Sequence, residues 1–155
     1  LHAQLPAIEA AAKNASGLRL IVIADRTISS ARIPIEFVPW SVQAESDALA
    51  RADIGIAPTP DDAWTRGKCG FKIVQYMAAG LPVIASPVGA NAQIVRDGIT
   101  GLLATGRQPW TDAIARLAAD LNLRQSMGAA GRARVESDYS LTVAADAWNT
   151  LLREE

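Results

Sequence analysis

The sequence predicts an α/β fold in which a doubly wound parallel sheet is covered by helices on both faces. Its strand-like segments are short continuous apolar runs, which is typical of parallel strands buried on both sides. Strand-like and helix-like segments alternate along the chain, the order expected of a Rossmann-like fold. Half of the 155 residues are apolar, enough for one buried core, so we expect a single domain over residues 1–155.

Five segments are predicted to be strands because they are short, apolar and bounded by turn residues. They lie at residues 18–24, 33–38, 53–57, 82–85 and 101–104. Pro34 places the start of the second strand near an edge of the sheet, because proline cannot donate a ladder hydrogen bond.

The predicted helices have recognisable starts and stops. They lie at residues 3–14, 42–51, 70–79, about 91–96, 109–121, 123–137 and 140 to about 153. Ser41 and Ser140 are suitable N-caps, and Gly80 is suited to follow the last turn of helix 70–79. The C-terminal part, about 109–153, is therefore helical, and we expect its last helix to pack back onto the domain.

Composition and charge exclude several classes of protein. The net charge is −1 with both signs scattered, whereas a nucleic-acid binder normally has a basic excess on one face. The lone Cys69 excludes an internal disulfide and fits a reducing compartment, so we expect a cytoplasmic location. No apolar run reaches the roughly 18–20 residues of a membrane span. The chain begins at Leu1 without a signal-like segment, and we expect it to be an excised domain.

Three loops are expected to meet at one crevice, because open α/β sheets bind ligands at the carboxyl ends of their strands. The loops follow Ala24, Ala57 and Ala85 and read DRTISS, PTPDDAWTRGKCG and SPVGAN. The middle loop is long, and long loops in compact domains are often functional, although a solvated connection is the alternative.

Residues 66–72 form a basic turn, punctuated by glycine, that leads into helix 70–79. Lys72 lies in the first turn, where a cation opposes the helix dipole, and a bound anion would explain that placement. Cations and N–H groups at a helix start suit a diphosphate. The alternative for Lys72 is a solvated surface lysine, and either Arg66 or Lys68 can simply point into water.

Other side chains near the crevice carry weaker signals. Asp61 and Asp62 could hold a metal, but adjacent carboxylates in a loop are more often solvated. Trp40 and Trp64 are candidates for stacking on a base or for core or lid packing. Cys69 has no paired histidine, so we do not expect a catalytic thiol.

Three stretches of the chain together carry a recognisable pattern. Residues 67–86 read GKCGFKIVQYMAAGLPVIAS, residues 88–104 read VGANAQIVRDGITGLLA, and residues 129–140 read AAGRARVESDYS. In order, they resemble the Glu-x7-Glu region, the VGGxxEIVxDGxTGxLL segment and the usual ending of retaining GT-B glycosyltransferases of the family-4 type, the glycosyl transferases group 1. The likeness covers roughly residues 16–152.

The resemblance implies a function for the whole protein. The chain would be the C-terminal, donor-binding half of a GT-B fold, in an enzyme that moves a sugar from a nucleotide-sugar to an acceptor with retention, as in cell-envelope or polysaccharide biosynthesis. An N-terminal domain, absent from this chain, would bind the acceptor, so the isolated fragment is expected to be inactive. The nucleoside diphosphate-sugar is a substrate, and no cofactor or metal is expected. The missing part leaves open a peripheral association with the cytoplasmic face of a membrane.

The basic turn and the resemblance together indicate a donor site, and Arg26, in a loop that replaces the family's Gly-rich turn, is a candidate second phosphate cation. The members of the site are Arg26, Arg66, Gly67, Lys68, Gly70, Phe71, Lys72, Gln75, Gly89, Ala90 and Asn91. Lys72 and Arg66 would stabilise the leaving diphosphate as negative charge develops on it. No residue is a convincing nucleophile or general base.

The chain departs from the family at its glutamates. Gly67 and Gln75 stand where relatives have the two motif glutamates, and Gln93 replaces a later one. In relatives the first glutamate typically contacts hydroxyls of the donor sugar, and the second binds the ribose. Gln75 can still bond a ribose through its amide, but it is uncharged. The sugar contacts must come from elsewhere, and the candidates are Lys68, Asp61, Asp62 and the loop 89–91.

Two other functions fit the same sequence. A degenerate GT-B domain that lost its glutamates could serve as a nucleotide-binding or scaffold module. A GT-B sugar-nucleotide epimerase would need acid/base carboxylates or histidines at the crevice, and the chain offers few.

Overall fold

The computed structural model describes residues 1–153, and its strands are all parallel. The strands are β1 (Leu20–Ala24), β2 (Ile35–Pro39), β3 (Gly55–Ala57), β4 (Val83–Ala85) and β5 (Gly101–Leu103). β1 pairs with β2, and β3, β4 and β5 form a second sheet in that order. The parallel sheet predicted from the continuous apolar runs is confirmed.

The sheet is divided between β1 and β3 rather than continuous. The Leu20 N–H donates to the Pro34 carbonyl, toward β2. The Gly55 N–H donates to the Pro82 carbonyl, toward β4. A cavity of about 650 Å³ lies between the two strands, and its wall includes Ile21, Ile23, Ile54 and Ile56.

The helices follow the predicted order, with one addition. They are α1 (Leu5–Ala11), preceded by a 3₁₀ turn, α2 (Val42–Ala50), α3 (Ala63–Arg66), α4 (Phe71–Ala78), α5 (Asn91–Ile94), α6 (Arg107–Ala119), α7 (Leu121–Asp138) and α8 (Leu141–Leu151). The Ser41 and Ser140 hydroxyls cap α2 and α8 as predicted. The short helix α3 lies within a predicted loop. Within residues 1–153, no helix is both long and apolar enough to cross a membrane.

The core consists of two apolar layers, one on each face of the sheets. β4 shows the alternation, because Ile84 packs on one face and Val83 and Ala85 pack on the other. The Ile84 face is covered mainly by α1 and α6, and the Val83 face by α4, α5 and α7. This two-sided covering is the doubly wound arrangement predicted from the sequence.

The last helix, α8, does not pack back onto the domain, so that prediction was wrong. None of its residues is buried, and its apolar side chains are exposed, including Leu141 at 90% and Trp148 at 65%. The two faces of the sheets are already covered by the helices before it. α8 therefore extends from the end of α7 with its apolar face turned to solvent.

Close packing of α7 against the end of α4 gives the first prediction. Alanine normally stabilises a helix interior relative to glycine by about 0.5–1 kcal/mol. A Cβ on Gly128, however, would overlap the Gly80 carbonyl oxygen. We expect Gly128→Ala to lower the free energy of unfolding by about 1–3 kcal/mol, the usual cost of overpacking. Urea unfolding followed by circular dichroism measures it.

The exposed Ala133 on the same helix supplies the control. Ala133→Gly should cost about 1 kcal/mol through helix propensity alone. A gain in stability for Gly128→Ala would contradict the close packing of α7 on the Gly80 turn.

Candidate functional site

A hydrogen-bond network ties together the loops that follow β3 and β4. The Thr59 N–H donates to the Ser86 hydroxyl at 3.0 Å. The Asn91 amide donates to the Thr59 hydroxyl and to the Ser86 carbonyl, both at 3.2 Å. Asn91 is only 7% exposed, so its donors have little access to water. The network fixes the carboxyl edge of the three-stranded sheet.

Two glycines let the basic turn lie directly against the loop after β4. Gly89 has φ of 55°, and a Cβ there would lie 2.5 Å from the Arg66 carbonyl oxygen. Gly70 has φ of 70°, and a Cβ there would lie 2.5 Å from the Ile94 Cδ1. Positive φ favours glycine at both positions, and at Gly89 the Arg66 backbone also leaves no room for a side chain. The backbone of residues 66–70 is thereby held beside residues 89–94.

The two aspartates of the long loop are engaged in local structure. The Asp62 carboxylate caps α3, accepting from the Thr65 N–H at 2.8 Å and from the Thr65 hydroxyl at 2.9 Å. These bonds, the backbone one first, hold the pKa of Asp62 below its ordinary value. Asp62, three residues before Thr65, is a favoured N-cap residue, and this spacing could have revealed α3 in the sequence.

Asp61 forms an ion pair with Arg66, with 2.6 Å between the Arg66 Nε and the Asp61 Oδ1. The hydrogen bond from Arg66 lowers the pKa of Asp61, and the same bond raises the pKa of Arg66. Both side chains are more than half exposed. Arg66 is thus partly neutralised, which weakens it as a free cation for a ligand. Within residues 1–153, no three metal-ligating side chains come together.

The start of α4 is open to solvent and electropositive. Gly70 is the N-cap and offers no side-chain acceptor, and the Ile73 N–H turns back to the Gly70 carbonyl at 2.9 Å. Within residues 1–153, the N–H groups of Phe71 and Lys72 have no acceptor. Lys72 is exposed in this first turn, and Phe71 is 64% exposed. Free N–H groups, the helix dipole and an ammonium group together can bind an anion.

One turn further along α4, Gln75 faces α2 instead of the helix start. Its Nε2 donates to the Glu45 Oε2 at 3.2 Å. The adjacent Tyr76 is largely buried, and burial, with a smaller contribution from the Glu45 charge, raises the pKa of its phenol. The groove between α2 and α4 therefore holds a carboxylate that sequence reasoning missed. Only its place in the first turn of the helix after β2 could have indicated it.

Most of the predicted site residues lie together at the carboxyl edge. The residues in this group are Arg66, Gly67, Lys68, Gly70, Phe71, Lys72, Gly89, Ala90 and Asn91. Asn91 is inside the network, so its amide positions the loops. Arg26 lies apart, exposed in the loop after β1 in the other sheet. Thr59 and Ser86 were missed, although hydroxyl residues just after two neighbouring strands are a readable signal.

The structure also places three tryptophans, two of them exposed and one buried. Trp40 follows β2 directly and is 57% exposed, and Trp64 on α3 is 79% exposed. Neither packs in the core. Trp110 on α6 is fully buried, and its Nε1 has no partner within the described residues.

Comparison with known proteins places the chain among glycosyltransferases. The sequence model described as glycosyl transferases group 1 matches residues 1–120. The D-inositol 3-phosphate glycosyltransferase of Mycobacterium tuberculosis is 34% identical over 140 residues, which cover 84% of this chain and 27% of that protein. The chain spans about a third or less of the length of such curated relatives.

Solved structures share the fold. The C-terminal domain of a glycosyl transferase group 1 family protein (LpcC) from Francisella tularensis is 25% identical, with a TM-score of 0.58 over 69% of this chain and 54% of that chain. Anabaena HepE, solved with UDP and glucose, is 22% identical, with a TM-score of 0.61 over 79% of this chain and 32% of that chain.

The network gives the second prediction. Asn91→Ala removes two buried donor contacts and leaves the Thr59 hydroxyl and the Ser86 carbonyl without them. We expect the free energy of unfolding to fall by about 1–3 kcal/mol. Asn91→Asp cannot donate and also buries a charge, so it should not rescue stability. Urea unfolding of both variants tests this.

Asn14→Ala is the matched control, because the Asn14 side chain is exposed and makes no hydrogen bond within residues 1–153. If Asn91→Ala unfolded at the same free energy as Asn14→Ala, the network would not be what fixes the loops.

Proposed function

The chain belongs to the glycosyl transferases group 1 family, and we propose that it is the donor-binding domain of an enzyme that transfers a sugar from a nucleotide-sugar with retention. The start of α4 supports this proposal most strongly. Two unpaired N–H groups lie there, in the same helical turn as the exposed Lys72, at the carboxyl edge of a parallel sheet. That edge is where α/β folds bind nucleotides, and a diphosphate supplies the missing acceptors.

The diphosphate lies at the start of α4 in this proposal, with Lys72 as the principal cation. Lys68 in the turn before it is also exposed and unpaired within residues 1–153. When the bond between the anomeric carbon of the sugar and the diphosphate oxygen breaks, its electron pair stays on that oxygen, so negative charge develops on the leaving nucleoside diphosphate. Preorganised N–H groups and cations stabilise that charge without reorganising. The UDP found in HepE supports a nucleoside diphosphate as the ligand of this fold.

The base lies toward α2, where Trp40 offers an exposed aromatic surface at the end of β2. Base–aromatic stacking is tolerant of base identity, so Trp40 would contribute affinity more than selectivity. Arg26 lies after the neighbouring strand β1, which pairs with β2 in parallel, and is the second cation on that side.

The acceptor binds to another domain of the whole protein. Supporting this, the chain spans about a third or less of its curated relatives, and several large apolar side chains beside the site and on α8 are exposed. A domain docked there would cover Trp64, Phe71 and the apolar face of α8. We expect this chain alone to bind a donor weakly and to transfer little sugar. The nucleotide-sugar is the substrate, and we propose that no metal or cofactor takes part.

A second candidate function is nucleotide binding without transfer. It is favoured by the departures at two positions, because Gly67 has no side chain and the Gln75 amide is engaged by Glu45. It differs from the first candidate in catalysis and not in nucleotide binding. An epimerase is disfavoured because Asp61 and Asp62 at this edge are held by Arg66 and by the cap of α3.

The third prediction tests the phosphate assignment. Lys72→Ala removes one charge-assisted contact, worth roughly 1.5–3 kcal/mol, so nucleoside diphosphate affinity should fall on the order of 10–100-fold. Calorimetric titration with ADP, GDP and UDP measures the change. Lys13→Ala is the control, since Lys13 is an exposed lysine after the end of α1, remote in the chain from the turn. Equal affinity of wild type and Lys72→Ala would refute the assignment.

A further inference from the structure

The Glu45 carboxylate stands in the groove between α2 and α4 with one oxygen free. Its Oε2 accepts from the Gln75 Nε2 at 3.2 Å. Within residues 1–153, Glu45 makes no ion pair and its Oε1 has no donor. The residue is half-buried, so the free oxygen is accessible without being fully solvated. A carboxylate held by one neutral amide keeps most of its capacity to accept.

Local structure holds this carboxylate in place. Glu45 lies in the first turn of α2, and its N–H donates to the Ser41 carbonyl at 2.9 Å. Negative charge at a helix start is stabilised by the helix dipole. The Ser41 side chain caps the same turn through the Ala44 N–H, so the turn is well fixed. Gln75 then restricts the side chain from the opposite helix.

The pair lies next to the proposed diphosphate site. Lys72 and Gln75 are three residues apart on α4, so they lie on the same side of the helix about one turn apart. One turn of helix is about 5.4 Å, which is similar to the distance between the diphosphate of a nucleotide and its ribose ring. The next group of a nucleotide bound at Lys72, on the side of α2, is its ribose.

We propose that Glu45 binds the ribose diol of the nucleotide, accepting from its 2′- and 3′-hydroxyls while Gln75 orients the carboxylate. The proposal rests on the proposed function and names a ligand contact for it. A diol presents two donors to a carboxylate that retains several lone pairs. Hydrogen bonds to an ionised acceptor are roughly twice as strong as neutral ones. The acidic group that α4 lacks at Gln75 is supplied by α2 to the same groove.

The test compares ribonucleotides with nucleotides that lack the diol. ADP, GDP and UDP are titrated into the protein beside their 2′,3′-dideoxy analogues, and the base that binds most tightly is used. Glu45→Gln should weaken the ribonucleotide about 10-fold or more and leave the dideoxy analogue within about twofold of wild type. Asp47→Asn removes a carboxylate from the exposed side of the same helix and should leave the affinity for both nucleotides unchanged. Circular dichroism checks that each variant folds.

Exchanging the side chains of Glu45 and Gln75 provides a second test, because the double variant keeps one carboxylate and one amide at the pair. Gln75→Glu places two carboxylates in contact, so we expect weaker ribonucleotide binding from their repulsion. Adding Glu45→Gln relieves it and should return the affinity to within about threefold of wild type. Equal weakening of ribo- and dideoxynucleotides by Glu45→Gln, or no weakening, would overturn the proposal while leaving nucleotide binding intact. If the wild type bound none of the three diphosphates, the proposed function itself would fail.

Discussion

The candidate site depends on the hydrogen bonds that Asn91 makes to Thr59 in the loop after β3 and to Ser86 in the loop after β4. Three-residue strands give little ladder to hold the ends of β3 and β4 in register. The Thr59–Ser86–Asn91 network supplies that restraint just beyond the strands, in a place largely closed to water. With these loops fixed, Gly89 can lie on the Arg66 carbonyl, and the start of α4 is presented in a defined position. Preorganisation of this kind is what makes backbone N–H groups effective toward developing charge.

The fold was readable from the sequence because local and global signals agree. The apolar runs at 18–24 and 82–85 predicted parallel strands. Ser41 and Ser140 predicted the starts of α2 and α8. The sequence did not reveal that β1 and β3 do not pair, because pairing between strands distant in sequence has no local signal. The exposure of α8 was not readable either, since an amphipathic pattern is the same whether its partner is this domain or another.

The backbone positions of candidate site residues were easier to predict than the partners of their side chains. Gly70 and Lys72 lie at the start of α4 and Gly89 lies in the loop after β4, while their role toward a donor stays a prediction. Asp62 is a helix cap, and Arg66 pairs with Asp61, because each has a partner only three to five residues away in the same loop. The contact of Gln75 with Glu45 joins residues thirty positions apart, and no local pattern encodes it.

The proposed function places the diphosphate of a nucleotide at the start of α4. Two-dimensional NMR of the ¹⁵N-labelled protein during titration with ADP, GDP and UDP tests it most directly, since amide resonances report acceptors that join unpaired N–H groups. We expect downfield shifts of the Phe71 and Lys72 amides that saturate with the same apparent Kd. Saturable shifts confined to residues away from the start of α4 and the loop 89–91, or no shifts with any of the three ligands, would contradict it.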